Sequence, residues 1–172
     1  MVPSEHDVRM LLETFDPARS ELVASWAVGD EVVRAWCARD DDTVPADVVA
    51  GWSEADDVEA YLFHDESGEA VAYGELWLDD EEGEVELARL LVAPERRGRG
   101  VGRALTLALT DRARGTHPEL PAVILRVRPE NLQAIRAYTA AGFVAVPDDE
   151  QATWNEGQRF AYHWMVLPAD PA

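Results

Sequence analysis

The chain of 172 residues contains no lysine: all 15 of its Lys/Arg positions are arginine, against 34 acidic residues, for a net charge of −19. A nucleotide-binding phosphate loop ends in Gly-Lys-Ser or Gly-Lys-Thr, so the missing lysine excludes that reading. A single cysteine, Cys37, excludes an internal disulfide. It lies in an amphipathic stretch with Val32, Val33 and Trp36, where burial rather than reactivity is expected. No run approaches the about 20 apolar residues of a membrane span. The first residues lack the basic-then-apolar order of a secretory leader. His6, His64, His117 and His163 are scattered without ligand spacing, so no metal is expected. With positive charge this scarce, nucleic acids and anionic membranes are poor partners, since both require a basic face. A cytoplasmic protein forming one domain over residues 1–172 is therefore expected, with no repeat, low-complexity tract or long linker in the sequence.

Apolar residues make up 47% of the chain and charged residues 28%, an ordinary globular balance. The charges are unevenly placed. Residues 1–88 carry 4 Arg and 25 acids, a net −21. Residues 89–136 carry 10 Arg and 4 acids, a net +6, and the rest of the chain is net −4. A basic island therefore sits in an acidic molecule, where it would meet a phosphorylated ligand. The alternative is that these arginines only lace a surface. An acidic cleft would in turn concentrate cationic partners.

Periodicity predicts a short strand at Val8–Leu12 and a helix opened by Pro17. Further helices are expected at Asp30–Arg39, capped by Asp30, and at Ala46–Trp52. Strands follow at Val58–His64 and Ala70–Leu78, joined by the turn Asp65-Glu66-Ser67-Gly68. The strand Glu84–Ala93 precedes a helix at Val101–Arg114. Then come a buried strand at Ala122–Val127, a helix at Asn131–Ala141 stopped by Gly142, and a strand at Phe143–Val146. A polar loop at 147–158 and a strand at Phe160–Leu167 complete the pattern. Early hairpins and later crossover helices point to a mixed α/β (α+β) fold built on a largely antiparallel sheet.

The segment Leu90 to Gly102 reads Leu-Leu-Val-Ala-Pro-Glu-Arg-Arg-Gly-Arg-Gly-Val-Gly. An apolar strand stops at Pro94, two arginines follow, and three glycines alternate at 98, 100 and 102 before a helix. Glycines at this spacing let backbone amides turn inward, and the helix start adds partial positive charge. Such a nest holds a phosphate or pyrophosphate through main-chain donors. A dinucleotide fingerprint starting at Gly98 fails, because it requires glycine at position 103, which is Arg103.

These residues resemble the GNAT superfamily of acyl-CoA-dependent N-acetyltransferases. Arg97-Gly98-Arg99-Gly100-Val101-Gly102 fits its pyrophosphate signature Gln/Arg-x-x-Gly-x-Gly/Ala, with Leu91-Val92-Ala93-Pro94 as the usual lead-in. A second block, Asn131 to Phe143, follows Asn-x-x-Ala-x-x-x-Tyr-x-x-x-Gly-Phe. The resemblance covers residues 84–146, the expected coenzyme-binding core.

The resemblance implies acetyl-CoA as cosubstrate, held between two splayed parallel strands, Glu84–Ala93 and Ala122–Val127, of a six- to seven-stranded sheet with helices on both faces. A bulge in the first strand would present main-chain groups around Leu90, Leu91 and Val92 to the pantetheine arm. Amides from Arg97 through Gly98, Arg99, Gly100, Val101, Gly102 and Arg103 would cradle the pyrophosphate. Asn131 matches a coenzyme-binding position, and it also suits the N-cap of the following helix. Tyr138 matches the family's general acid, which meets the departing thiolate; otherwise it is an aromatic packed on the sheet. Glu86 matches a glutamate that serves as base in the histone-modifying branch, although many family members lack it. Its alternative is an exposed strand carboxylate. Glu75, beside Tyr73 and Trp77, is the second candidate base or a ligand for a cationic substrate.

The implied reaction is direct attack of an amine on the thioester in a ternary complex. The acceptor is expected to be a small cationic amine or a basic peptide, from the −21 charge of residues 1–88 and from Trp26, Trp36, Trp52, Tyr73 and Trp77 as possible cation–π walls. The rivals are a catalytically silent acyl-CoA sensor and an acetyltransferase acting on a folded protein. The segment 147–158, with Trp154 and Asn155, would decide how open the acceptor site is. A homodimer is expected only on symmetry base rates.

Overall fold

The computed structural model describes residues 11–169. Seven strands form one sheet: β1 (Leu11–Thr14), β2 (Val58–His64), β3 (Ala70–Asp79), β4 (Glu84–Val92), β5 (Ala122–Val127), β6 (Val144–Ala145) and β7 (His163–Val166). Their order is β1-β2-β3-β4-β5-β7-β6, and every neighbouring pair is antiparallel except β4–β5. A parallel pair needs a crossover. Helix α4 (Val101–Thr116) supplies it.

Alternation along the strands divides the core between two faces. Ala72, Leu76, Val85, Leu87 and Leu125 point toward α4, meeting Val101, Leu105, Leu109 and Ala113 at the spacing of one helix face. Helix α5 (Leu132–Ala140) packs here too, through Ala134, Ile135 and Tyr138. Gly74 lets α4 approach β3, because a Cβ there would lie 2.7 Å from Leu109 Cδ1. Burying Leu105 and Leu109 completely contributes about 1.5–3 kcal/mol each. The opposite face presents Leu62, Tyr73 and Leu91 to α1 (Ser20–Ser25), α2 (Asp30–Cys37) and α3 (Ala46–Trp52). The cluster there is built on Val23, Trp26, Val33, Trp36 and Val49.

Several boundaries differ from expectation. The first strand lies at Leu11–Thr14, and residues 8–10 of the expected strand fall outside the described residues. Pro17–Arg19 forms a tight 3-10 turn before α1. Gly29, with φ +97°, precedes α2 as its cap, so Asp30 is the first helical residue instead. The expected polar loop contains helix α6 (Asp148–Trp154). Pro147 followed by Asp148, Asp149 and Glu150 suits a helix start, where acids complement the dipole. The last strand is only His163–Val166. Gln151 and Asn155 bond the backbone of Val146, Tyr162 and Trp164, fixing the segment before it.

Candidate active site

The parallel pair is the geometric origin of the site. β4 and β5 are in register from Glu84 opposite Ala122 to Leu87 opposite Leu125, and there the pairing ends. Beyond that point β4 continues against β3 as far as Val92, while Arg126 and Val127 of β5 continue against β7. The two strands therefore splay, leaving inward-facing backbone groups without a partner strand.

The splay coincides with a bulge. Tyr73 pairs with Leu91 and Glu75 with Ala88, so β4 carries one extra residue over this interval. Arg89, with φ +46°, absorbs it. A non-glycine residue in this region is uncommon and costs about 1–2 kcal/mol. Two contacts hold it. The Trp36 indole N–H donates to the Arg89 carbonyl at 2.8 Å. The Arg89 Nη1 donates to both oxygens of Glu75, at 3.0 and 3.3 Å.

Below the open end of the splay lies the glycine loop. Gly98 and Gly100 have φ of +73° and +81°, where a side chain is strained. The amides of Gly98 to Arg103 make no hydrogen bond within the described residues. A consecutive run of unpaired donors at the start of a 16-residue helix is an anion receptor. The arginines divide their work. Arg96 ties the loop to the β2–β3 turn through Asp65 and Glu69. Arg97 folds inward, donating to the carbonyls of Val92 and Trp26 at 3.0 and 2.9 Å. Arg99 and Arg103 have no partner among the described residues, so their charge remains available to a ligand. Leu90 and Val92 pack their side chains against the α4 face, and Leu91 packs against the other.

Asn131 is the N-cap of α5, its side chain accepting from the Ala134 amide at 3.2 Å. Oδ1 makes that bond, which leaves Nδ2 to a ligand. Seven positions on, Tyr138 is half-buried in the α4-side core. Burial pushes its phenol up to about 12. Its hydroxyl has no hydrogen-bond partner among the described residues, so it keeps a proton to donate.

On the other face, Glu86 stands beside Trp77 on β3 and Ile124 on β5. Its Oε1 lies 2.8 Å from Arg126 Nε. Burial pushes its carboxyl up to about 7, a rise the neighbouring Arg126 limits. Arg126 is enclosed by Trp77, Tyr162 and Trp164, at 5.2 to 5.4 Å from their ring centres. Glu75 is fully buried, and both oxygens are engaged: Tyr73 and the Trp77 indole donate at 2.6 Å each, with Arg89 as third partner.

The aromatic residues expected as cation walls have other duties. Trp26, Trp36 and Tyr73 are buried in the core. Trp52 and Trp77 do face a cation, but it is the protein's own Arg89, at 4.0 and 4.9 Å from the rings. Trp154 meets Trp164 edge to face at 5.5 Å between ring centres, and Asn155 bonds Tyr162. Sequence reasoning missed Arg89, Arg126 and Arg128. A signal existed: Arg89 breaks an apolar run, while Arg126 and Arg128 alternate as Phe160, Tyr162 and Trp164 do. Among the described residues no group of His, Cys, Asp or Glu is arranged for a metal, and no helix is long and apolar enough to cross a membrane.

The same fold is found in solved structures. Spermidine N-acetyltransferase from Vibrio cholerae, in complex with CoA and spermine, superposes with a TM-score of 0.72 at 16% identity, over 94% of this chain and 96% of that one. The aminoglycoside acetyltransferase AAC(6')-Ib, in complex with ribostamycin and coenzyme A, superposes at 0.70 with 21% identity, over 92% of each chain. No curated protein matches the sequence significantly. The sequence profile of the acetyltransferase (GNAT) family matches residues 9–143, spanning both the splayed strands and the glycine loop. With that match added to the geometry, the chain belongs to the GNAT family of acetyltransferases.

Proposed function

We propose that this chain, acting as one domain, transfers an acetyl group from acetyl-CoA to a primary amine by direct attack in a ternary complex. The observation that carries the reading is the opening of the β4–β5 splay onto the unpaired amides of Gly98–Arg103. The pantetheine arm would take the place of the missing strand along Leu90–Val92. The pyrophosphate would rest on the loop amides, with Arg99 and Arg103 as counter-charges. The Arg97 amide, expected among the cradle donors, is bonded to the Pro94 carbonyl at 3.4 Å, so Arg97 serves the loop through its bracing side chain. Asn131 combines helix capping with a free amide donor toward the coenzyme. The proteins that share the fold are found with CoA and amine ligands, which supports this reading.

The amine nitrogen attacks the thioester carbonyl carbon, and the carbon–sulfur bond breaks. An amine arrives protonated, with an ordinary pKa of about 10.4 for the lysine type, so a proton must leave it. Glu86, held at about 7, is our candidate base, directly or through one water. A carboxyl near neutrality accepts a proton far better than one at the usual value of about 4.3. Tyr138 donates to the sulfur as negative charge develops. An ordinary thiol has a pKa of about 8.5, so a phenol at about 12 acts chiefly as a hydrogen-bond donor to the thiolate. We assign Glu75 a positioning role, because its oxygens are committed to Tyr73, Trp77 and Arg89.

The test is thiol release from acetyl-CoA across polyamines, amino acids, aminoglycosides, arylamines and short peptides. Turnover on any of them establishes the activity. Tight acetyl-CoA binding with no turnover on any would refute it in favour of a coenzyme sensor.

A further inference from the structure

The inside of the candidate acceptor face opposes the outside of the molecule in charge. Arg89, Arg126 and Arg128 have side chains only 19–23% exposed. Two carboxylates face them, the buried Glu75 and the part-buried Glu86. Arg128 also pairs with Glu130 at 3.0 Å, but that carboxylate is largely exposed, so the interior of the cluster sets three guanidiniums against Glu75 and Glu86. Among the described residues, Glu75 and Glu86 are the two acids of residues 1–88 that pair with these arginines.

Two of these arginines form one wall. Arg126 lies near the end of β5, and Arg128 follows two residues on. Both meet the same C-terminal segment: Arg126 through Gln158, Tyr162 and Trp164, Arg128 through Phe160 at 4.3 Å from its ring centre. The rings hold both guanidinium groups in place. Arg126 uses Nε for Glu86 and Nη1 for Gln158, leaving Nη2. Arg128 uses Nε and Nη2 for one oxygen of Glu130, at 3.1 and 3.0 Å. Its Nη1 is buried with no partner, one of three such side-chain atoms among the described residues. A buried guanidinium donor without a partner is costly. Guanidinium groups fixed by aromatic rings with free donors suit a carboxylate. Meanwhile Trp52 and Trp77, the walls that a cationic substrate would use, are filled by Arg89.

We propose that the acceptor is a primary amine bearing a carboxylate close to that amine, of the amino-acid class, with the carboxylate held by Arg126 and Arg128. This rests on the acetyltransferase reading above and narrows it. Amine and carboxylate then meet opposite partners, Glu86 and the two arginines, so the pair fixes the orientation of the attacking nitrogen.

The experiment compares matched acceptors on the intact enzyme: amino acids, their amides and their decarboxylated amines, with polyamines and aminoglycosides alongside. The expected result is kcat/KM at least tenfold higher for a carboxylated acceptor than for its matched amide or amine. Arg128→Gln should shrink that ratio at least tenfold, which a purely structural role would not do, because misfolding lowers both members together. Equal or better turnover of decarboxylated amines or polyamines would overturn this inference while leaving the acetyltransferase reading intact. An unchanged ratio in Arg128→Gln would overturn it likewise. Silence on every amine, with acetyl-CoA still bound, would overturn both.

Discussion

The Trp36 indole N–H and the Arg89 carbonyl lie 2.8 Å apart although 53 positions separate them in sequence. Helix α2 thereby grips the bulge that starts the open part of β4. Removing the donor leaves a part-buried carbonyl unsatisfied, at a cost of about 1–3 kcal/mol. Trp36→Phe keeps an aromatic ring near Trp52 and Tyr73, its present neighbours at 5.1 and 6.0 Å. The expected outcome is a lower melting temperature together with weaker acetyl-CoA binding, measured by thermal unfolding and calorimetry. A variant that loses stability yet binds coenzyme with wild-type affinity would show that the grip does not reach the pantetheine site.

Tyr138→Phe deletes one hydroxyl and preserves the packing on the α4 side. Loss of a hydrogen-bond donor to the leaving group lowers kcat by about 10²–10³. Acetyl-CoA affinity should stay within twofold, since the ring remains. Unchanged kcat under conditions where chemistry is rate-limiting would remove Tyr138 from the mechanism.

Glu86 ties activity to pH. Its carboxyl is held at about 7 in the folded protein, so the base form accumulates as pH rises. The expected kcat/KM increases through about pH 7, and Glu86→Gln removes that limb. Stability runs the other way. A carboxyl raised above its unfolded value of about 4.3 stabilises the fold while protonated. That contribution is complete below about 4.3 and is lost as pH rises through about 7. Denaturant unfolding from pH 5 to 8 should show wild type losing stability relative to Glu86→Gln across this window.

Gly100 occupies the N-cap of α4 at φ +81° with open space where a side chain would go. Gly100→Ala therefore tests backbone strain rather than collision. The cost is about 1–2 kcal/mol. If the loop relaxes by reorienting its amides, CoA affinity falls about tenfold, which is about 1.4 kcal/mol. Calorimetry with CoA resolves that difference. A variant that is less stable but binds CoA as wild type would mean the amide array survives the substitution.

What could be read from the chain follows from where each requirement leaves its mark. Gly98 and Gly100 need left-handed backbone, and glycine displays that need openly. Asn131 shows its capping role through its position before an apolar-periodic helix. The succession of strands along the chain from Val58 onward follows from alternation and turn residues, whereas the insertion of β7 between β5 and β6 does not. Arg89 hides its equally left-handed backbone behind an ordinary side chain, because distant Trp36 and Glu75 stabilise it. Glu75 and Glu86 look alike in sequence. Only the packed sheet shows that one is locked by three donors and the other leans on a single arginine. The strong acidity of residues 1–88 is the basis for expecting a cationic acceptor, and charge counted along a chain does not by itself locate that charge at the surface or in the cleft.

The end of β4–β5 pairing at Leu87 and Leu125 also bears on how the molecule avoids its own kind. Free strand edges invite other chains to add to a sheet. Here two free edges face each other across a wedge. At its apex they are about 4.8 Å apart, the spacing of a bonded pair. An intruding strand would require that spacing on both sides at once. The wedge therefore turns away polypeptide near its apex and admits something thinner, so the same geometry that exposes backbone groups also guards against edge-to-edge aggregation.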